Sequence, residues 1–177
     1  MTEINRDRVT AEREGGFVVF RVGMRVNKLW KLHRWIPFVR AMLKMLADLE
    51  ADPDSGLLGY DPKVGIRNHE AVQYWRSFEE LRAYALDPDE RHSPAIRWAN
   101  ERMHESGNVG IWHETYLVRD GTYETMYENV PTRGLGRAGT VYPATERRRT
   151  AAGRLGLTDG DDVSHEEDVI RGEPVEP

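Results

Sequence analysis

Val109-Gly110-Ile111-Trp112-His113-Glu114-Thr115-Tyr116-Leu117-Val118 is the stretch whose reading decides the fold. It is rich in β-branched and aromatic residues, so it is expected to form a strand. Alternation puts Ile111, His113, Thr115 and Leu117 on one side and Trp112, Glu114, Tyr116 and Val118 on the other. Both sides are partly apolar. If helices cover only one face of the sheet that holds this strand, something else must cover the second.

The neighbouring sequence says what that sheet is. Phe17-Val18-Val19-Phe20-Arg21-Val22, following Gly15-Gly16, suits a central strand. Ile36, Val39, Met42, Leu43, Leu46 and Leu49 repeat at helical spacing, with Pro37 expected in the first turn and a stop before Asp52-Pro53-Asp54-Ser55-Gly56. Leu57 to Ile66 and His69 to Arg76 form an expected hairpin joined near Arg67-Asn68. Ser77-Phe78-Glu79-Glu80 matches a capping box that opens a helix through about Leu86, closed by Asp87-Pro88. Ser93-Pro94 offers a further helix start, after which Ile96, Ala99 and Met103 share a face until Gly107. Val109 to Val118 and Tyr123 to Val130, linked by Arg119-Asp120-Gly121-Thr122, complete the expected strands as a hairpin. The order is βαββαβ with one extra strand, an α+β, ferredoxin-like arrangement. One sheet with helices on one side leaves a face open, and a second copy packed sheet to sheet would cover it. The expectation is a homodimer, a dimeric α+β barrel with a cavity for a small-molecule substrate.

Composition bounds the function. A chain of 177 residues with 39% hydrophobic and 31% charged residues reads as a globular protein with one main core. The absence of cysteine excludes disulfides, zinc-thiolate sites and thiol nucleophiles. The polar start, Met1-Thr2-Glu3-Ile4-Asn5-Arg6-Asp7-Arg8, and the lack of a long apolar run argue for a cytoplasmic protein with no membrane partner. A net charge of −5 argues against nucleic acid as a partner, and Arg147-Arg148-Arg149 is too short to reverse that. Beyond Gly153, Asp159, Asp161, Asp162, Glu166, Glu167, Asp168, Glu173 and Glu176 stand against Arg154 and Arg171. The expected organisation is therefore a flexible N-terminus (1–14), a barrel domain (15–130), an arm (131–152) and an acidic flexible tail (153–177).

Two histidines carry the functional signal, His92 in Arg91-His92-Ser93-Pro94 and His113 in the strand quoted above, twenty-one residues apart. With Tyr74-Trp75-Arg76-Ser77-Phe78-Glu79-Glu80-Leu81 they resemble the carboxy-terminal half of the haem-containing aldoxime dehydratases, over about Phe17 to Val118. The whole chain also resembles a prokaryotic monooxygenase-like family. The dehydratase resemblance implies haem as cofactor, His92 as the proximal iron ligand, His113 as the distal acid-base residue, and Ile111 and Trp98 beside the cofactor. It departs at Val22, which stands where those enzymes carry a catalytic serine and cannot hydrogen-bond an oxime hydroxyl. Physical chemistry is compatible with these roles. A helix start beside His92 favours the neutral imidazole that iron requires, and an imidazole on an apolar strand face can move a proton.

The expected function is a small haem-dependent enzyme of lyase or oxidoreductase type. The alternative is a cofactor-free, monooxygenase-like barrel acting on a small apolar or aromatic molecule, and a third reading is a non-catalytic ligand-binding dimer. Other features point more weakly to chemistry. His69 could join His113 and Glu114 around iron, but adjacent strand residues face opposite ways. Gly134-Leu135-Gly136-Arg137-Ala138-Gly139 matches a dinucleotide pattern, yet Thr140-Val141-Tyr142-Pro143 breaks any helix after it. Glu124 and Glu128 share a strand face and suit a solvated edge better than paired catalysis.

Overall fold

The computed structural model of the protein describes residues 4–86 and 107–158. Along the chain these form β1 (Ile4–Asn5), β2 (Val9–Glu12), β3 (Phe17–Val26), α1 (Leu32–Ala51), β4 (Leu57–Val64), β5 (Asn68–Trp75), α2 (Phe78–Leu86), β6 (Val109–Val118), β7 (Val130–Pro131), α3 (Leu135–Ala138), β8 (Thr140–Pro143) and α4 (Ala151–Arg154), with a 3-10 turn at Glu146–Arg148. They divide into two units, one of residues 16–117 and one of residues 1–15 and 118–177.

The first unit is built on a four-stranded sheet of order β4-β5-β3-β6. β5 pairs antiparallel with both β3 and β4, which sets Val18 opposite Trp75, Val22 opposite Ala71 and Met24 opposite His69. Two strands that are consecutive in the chain, β4 and β5, are neighbours, while β6 returns beside β3 at the far edge. This is the ferredoxin-like α+β arrangement.

Period-two alternation sorts β3 into two rows. Val18, Val22, Met24 and Val26 turn to the helices, where three apolar clusters form. Val18, Leu49, Trp75 and Leu81 make one, joined by Phe20, Leu57 and Tyr84. Met24, Val26 and Val109 make the second, against Leu29, Trp35, Phe38 and Val39. Met42, Leu46 and Ala71 make the third, with Val22, Met45 and Tyr60. Burying each large side chain of this set is worth roughly 1.5–3 kcal/mol, which is why β3 holds the centre of the sheet.

The helix α1 begins earlier than its sequence pattern suggests. It starts at Leu32, so Pro37 sits inside the helix rather than in its first turn and forfeits the bond to the carbonyl of His33. Tertiary packing outweighs that loss, because Trp35, Phe38 and Val39 lie against the Met24 cluster. Leu43, expected on the apolar face, is 40% exposed. The capping box of α2 forms as expected, with the amide of Glu80 donating to Ser77 Oγ at 3.1 Å.

The second unit corrects the expected Val109–Val130 hairpin. Tyr123 to Val130 does not extend the large sheet. Instead Tyr127 exchanges backbone hydrogen bonds with Val9, and β7 pairs with β1. Side chains complete the seam along β2: Arg13 N donates to Tyr123 Oη at 2.7 Å, and Ala11 N donates to Thr125 Oγ1 at 2.7 Å. The hydroxyls thus replace a strand partner for β2, whose other edge pairs with β8. The first residues of the chain, read from sequence as a flexible N-terminus, supply β1 and β2 to this unit. The glycine-rich Gly134–Gly139 stretch makes the single turn α3 and leads straight into β8, so no long helix opens on a phosphate site there.

Candidate active site

β6 carries the candidate site, and its two rows face different environments. Val109 packs into the Met24 cluster on the helix side of the sheet, so Ile111, His113, Thr115 and Leu117 follow it onto that side. The His113 ring lies 5.7 Å from the ring of Phe20, which itself packs against the Val18 cluster. Ile111 is 42% and Leu117 70% exposed, and His113 is exposed between them. The result is an apolar row with one imidazole set in it. Val22, at the position expected for a serine by resemblance, lies on the same side and packs against the Met42 cluster.

The opposite row is polar and tied together. Arg21 Nε donates to Glu70 Oε1 at 2.8 Å, and Arg21 Nη1 donates to Glu114 Oε2 at 2.6 Å. Tyr116 Oη donates to the same Glu114 oxygen at 2.8 Å. The Arg21 guanidinium also stands 5.3 Å from the centre of the Trp112 ring, in cation–π range. The hydrogen bond that Arg21 donates to Glu70, with Glu114 nearby, raises the pKa of Arg21 further above its ordinary value. Gly23 makes this packing possible, because a Cβ there would lie 2.6 Å from Trp112 ring carbons. Sequence reasoning missed this network. Its signal was Arg21 within the apolar run Phe17–Val22, with a carboxylate on each neighbouring strand.

His69 is the second imidazole of the helix side. It is 4% exposed, stacks on Trp35 with ring centres 5.7 Å apart, and neither ring nitrogen has a hydrogen-bond partner among the described residues. Glu114 lies on the far face from His113, so those three residues do not converge on a metal. Among the described residues no group of three histidine or acidic side chains is placed to hold a metal ion. His92 and Trp98 lie outside the described residues.

In the second unit a cleft of about 480 Å³ is lined by Glu12, Arg13, Asp120, Tyr123, Tyr142 and Arg154 among others. Much of its charge is paired. Glu12 accepts two bonds from Arg148, at 2.6 and 2.9 Å, and that hydrogen bonding lowers its pKa. Burial raises the pKa of Tyr123, whose hydroxyl donates to Arg13 O. Glu124 pairs with Arg154 at 2.7 Å and Glu128 with Arg8 at 3.2 Å, so neither is poised as a catalytic carboxylate.

With this geometry in view, the model of the monooxygenase af470-like family matches residues 17–135. The chain belongs to the monooxygenase af470-like family. The match spans the whole sheet of the first unit, including β3 and β6. Within the family, monooxygenase af470 of Aspergillus fumigatus is 29% identical over 162 residues, which cover 77% of this chain and 56% of that protein. This chain therefore spans little more than half the length of that family member. Among solved structures, an aldoxime dehydratase in complex with butyraldoxime superposes with a TM-score of 0.60 at 13% identity, covering 79% of this chain and 44% of that one. That likeness shows a shared fold. A dimeric ferredoxin-like protein from an uncultured marine organism has a TM-score of 0.41 at 14% identity, over 59% of this chain and 89% of that one. Among the described residues of this family member, no helix is long and apolar enough to cross a membrane.

Proposed function

We propose that this chain is a monooxygenase-like enzyme for a small apolar molecule, bound on the helix side of β6, with His113 moving the proton. One observation carries the reading. An exposed imidazole stands in an apolar row, between Ile111 and Leu117 and against Phe20, on the side of the sheet that faces the helices. Exposed apolar side chains flanking a single titratable group are what a small-molecule site needs, since area supplies binding and one polar group supplies orientation. An imidazole that takes a proton from an activated C–H or O–H of the substrate leaves an electron-rich carbon that can add dioxygen as a hydroperoxide; loss of water from it leaves a carbonyl, so the substrate itself supplies the electrons that reduce the second oxygen atom. The polar face of the sheet, centred on Arg21, would meet a second copy of the chain, giving a homodimer. Dioxygen uptake over a panel of small aromatic compounds tests the reading: a turnover that His113→Ala leaves unchanged would overturn it.

A second reading adds haem to the same side. His113 and Val22 fall on one side of the sheet, as the resemblance to the dehydratases requires, and His92 from the segment that joins α2 to β6 would be the iron ligand. The residues in hand fit in part: Ile111 and Phe20 offer the apolar contacts a porphyrin needs and His113 a distal imidazole. Haem, when bound, would supply redox or Lewis-acid chemistry at its iron, while His113 would hold the proton on the open side. Val22 argues that aldoxime dehydration itself would be slow. Protein produced with a haem supply shows a stoichiometric Soret band under this reading and none under the first.

A further inference from the structure

We infer that His69 is a second ligand-contacting residue of this protein, a hydrogen-bonding floor to the helix-side layer that becomes accessible when Trp35 swings away. The inference rests on the site proposed above and names a group of that site. His69 is 4% exposed, and both its nitrogens are shielded from solvent without a partner among the described residues. A buried polar group left unpaired is destabilising, and an apolar side chain of the same shape would remove that penalty. In a native fold such an orphan calls for an explanation, one of which is a partner that arrives with a ligand.

The surroundings fit that explanation. His69 lies opposite Met24 on β3 and Val64 on β4, so it belongs to the helix-facing row of the sheet, the same side as His113. Trp35 stacks on His69, with the indole nitrogen donating to Leu29 O at 3.1 Å. That ring hangs from the weakest part of α1. The N-cap, Lys31, makes no side-chain capping bond, the first turn has no acidic residue to offset the helix dipole, and Pro37 removes a further backbone bond. At the start of that turn Leu32 is 52% exposed, and Trp30 before it is 73% exposed. A turn without a capping bond over an unsatisfied imidazole would open when a ligand repays the packing of Trp35 on the Met24 cluster, and would then offer stacking from Trp35 together with a donor or acceptor from His69. The ligand it suits is a planar apolar molecule with one hydrogen-bonding group.

Calorimetric titration of the full chain with 1-naphthol and with naphthalene tests this, since the two differ only in the hydroxyl. The wild type is expected to prefer 1-naphthol by about tenfold, the worth of one hydrogen bond to an otherwise orphaned group. His69→Phe should abolish the preference, keep naphthalene affinity and raise thermal stability, whereas His69→Gln should restore part of the preference. Equal affinity of the wild type for the two compounds would overturn the role of His69 while leaving the helix-side site standing. Failure of the wild type to bind either compound would overturn both. Should His69→Phe not fold, the wild-type comparison and His69→Leu still decide, because a leucine that leaves the preference at full strength or a wild type that has none each contradicts the inference.

Discussion

The two faces of the four-stranded sheet solve the burial of polar groups in opposite ways. On the open face the central polar groups are matched: Arg21 answers Glu70 and Glu114, Tyr116 answers Glu114, and Trp112 lies under the guanidinium. On the helix side the apolar clusters are dense, yet His69 is buried without a partner and His113 stands exposed in an apolar row. A satisfied network specifies geometry and has little left to offer a ligand. A buried unpaired imidazole and an exposed one beside apolar surface have both affinity and chemistry to spare. The difference supports the proposed division, with assembly on one face and recognition on the other.

Substitutions can break or sharpen that contrast. The largest effect is expected at Trp75, which is fully buried on the helix side with its indole nitrogen donating to Gln73 Oε1 at 2.9 Å. Trp75→Ala should cost about 3–5 kcal/mol in urea unfolding, through cavity formation and an orphaned amide. Next comes His113→Ala, which should leave the urea midpoint within about 0.5 kcal/mol of wild type, as expected of an exposed position. It should slow turnover by about 10² to 10⁴, the range of a positioned acid or base. A His113→Ala protein that unfolds early would turn this residue into a core histidine and erase the contrast.

Arg21→Ala attacks the other face. Its ion pairs are partly solvated, so monomer stability should fall by no more than about 1 kcal/mol, while the dimer should weaken by tenfold or more, read by light scattering across concentration. A wild type that is monomeric at micromolar concentration would show that the open face needs no second copy, since a standard interface buries roughly 1,200–2,000 Å². The smallest effect belongs to the second unit. Glu12 has a pKa lowered by its bonds to Arg148, so its contribution is fully present above the unfolded carboxylate pKa and is lost as pH falls through the still lower folded value. Glu12 is a third exposed, so the amount is under about 1 kcal/mol. Glu12→Gln should flatten the acid limb of the stability curve by that much and leave the neutral region of the curve flat.

Much of this fold is legible in the sequence because period and punctuation agree. Phe17 to Val22, the β4–β5 hairpin and the Ser77 capping box each combine a clear pattern with a clear boundary, and each appears where expected. The misreadings share a cause, which is that partner choice is not written locally. Tyr123 to Val130 alternates like a strand, yet Tyr123 and Thr125 use their hydroxyls to bind the β2 backbone, and no periodicity distinguishes that from a ladder with Val109–Val118. Leu32 to Trp35 joins α1 only because Trp35 finds His69 and the Met24 cluster. In the site, the side of the sheet on which His113 falls follows from alternation alone. The isolation of His69 and the clamp around Arg21 depend on register between strands, which the sequence does not display.

The central claim, that the small molecule sits on the helix side of β6, is tested most directly by methyl-resolved NMR during titration with naphthalene. The account predicts shifts at the methyl groups of Ile111 and Leu117, on the His113 row, with Val19 and Val72 of the Arg21 face unmoved. Shifts confined to Val19 and Val72 would place the molecule on the opposite face and contradict it.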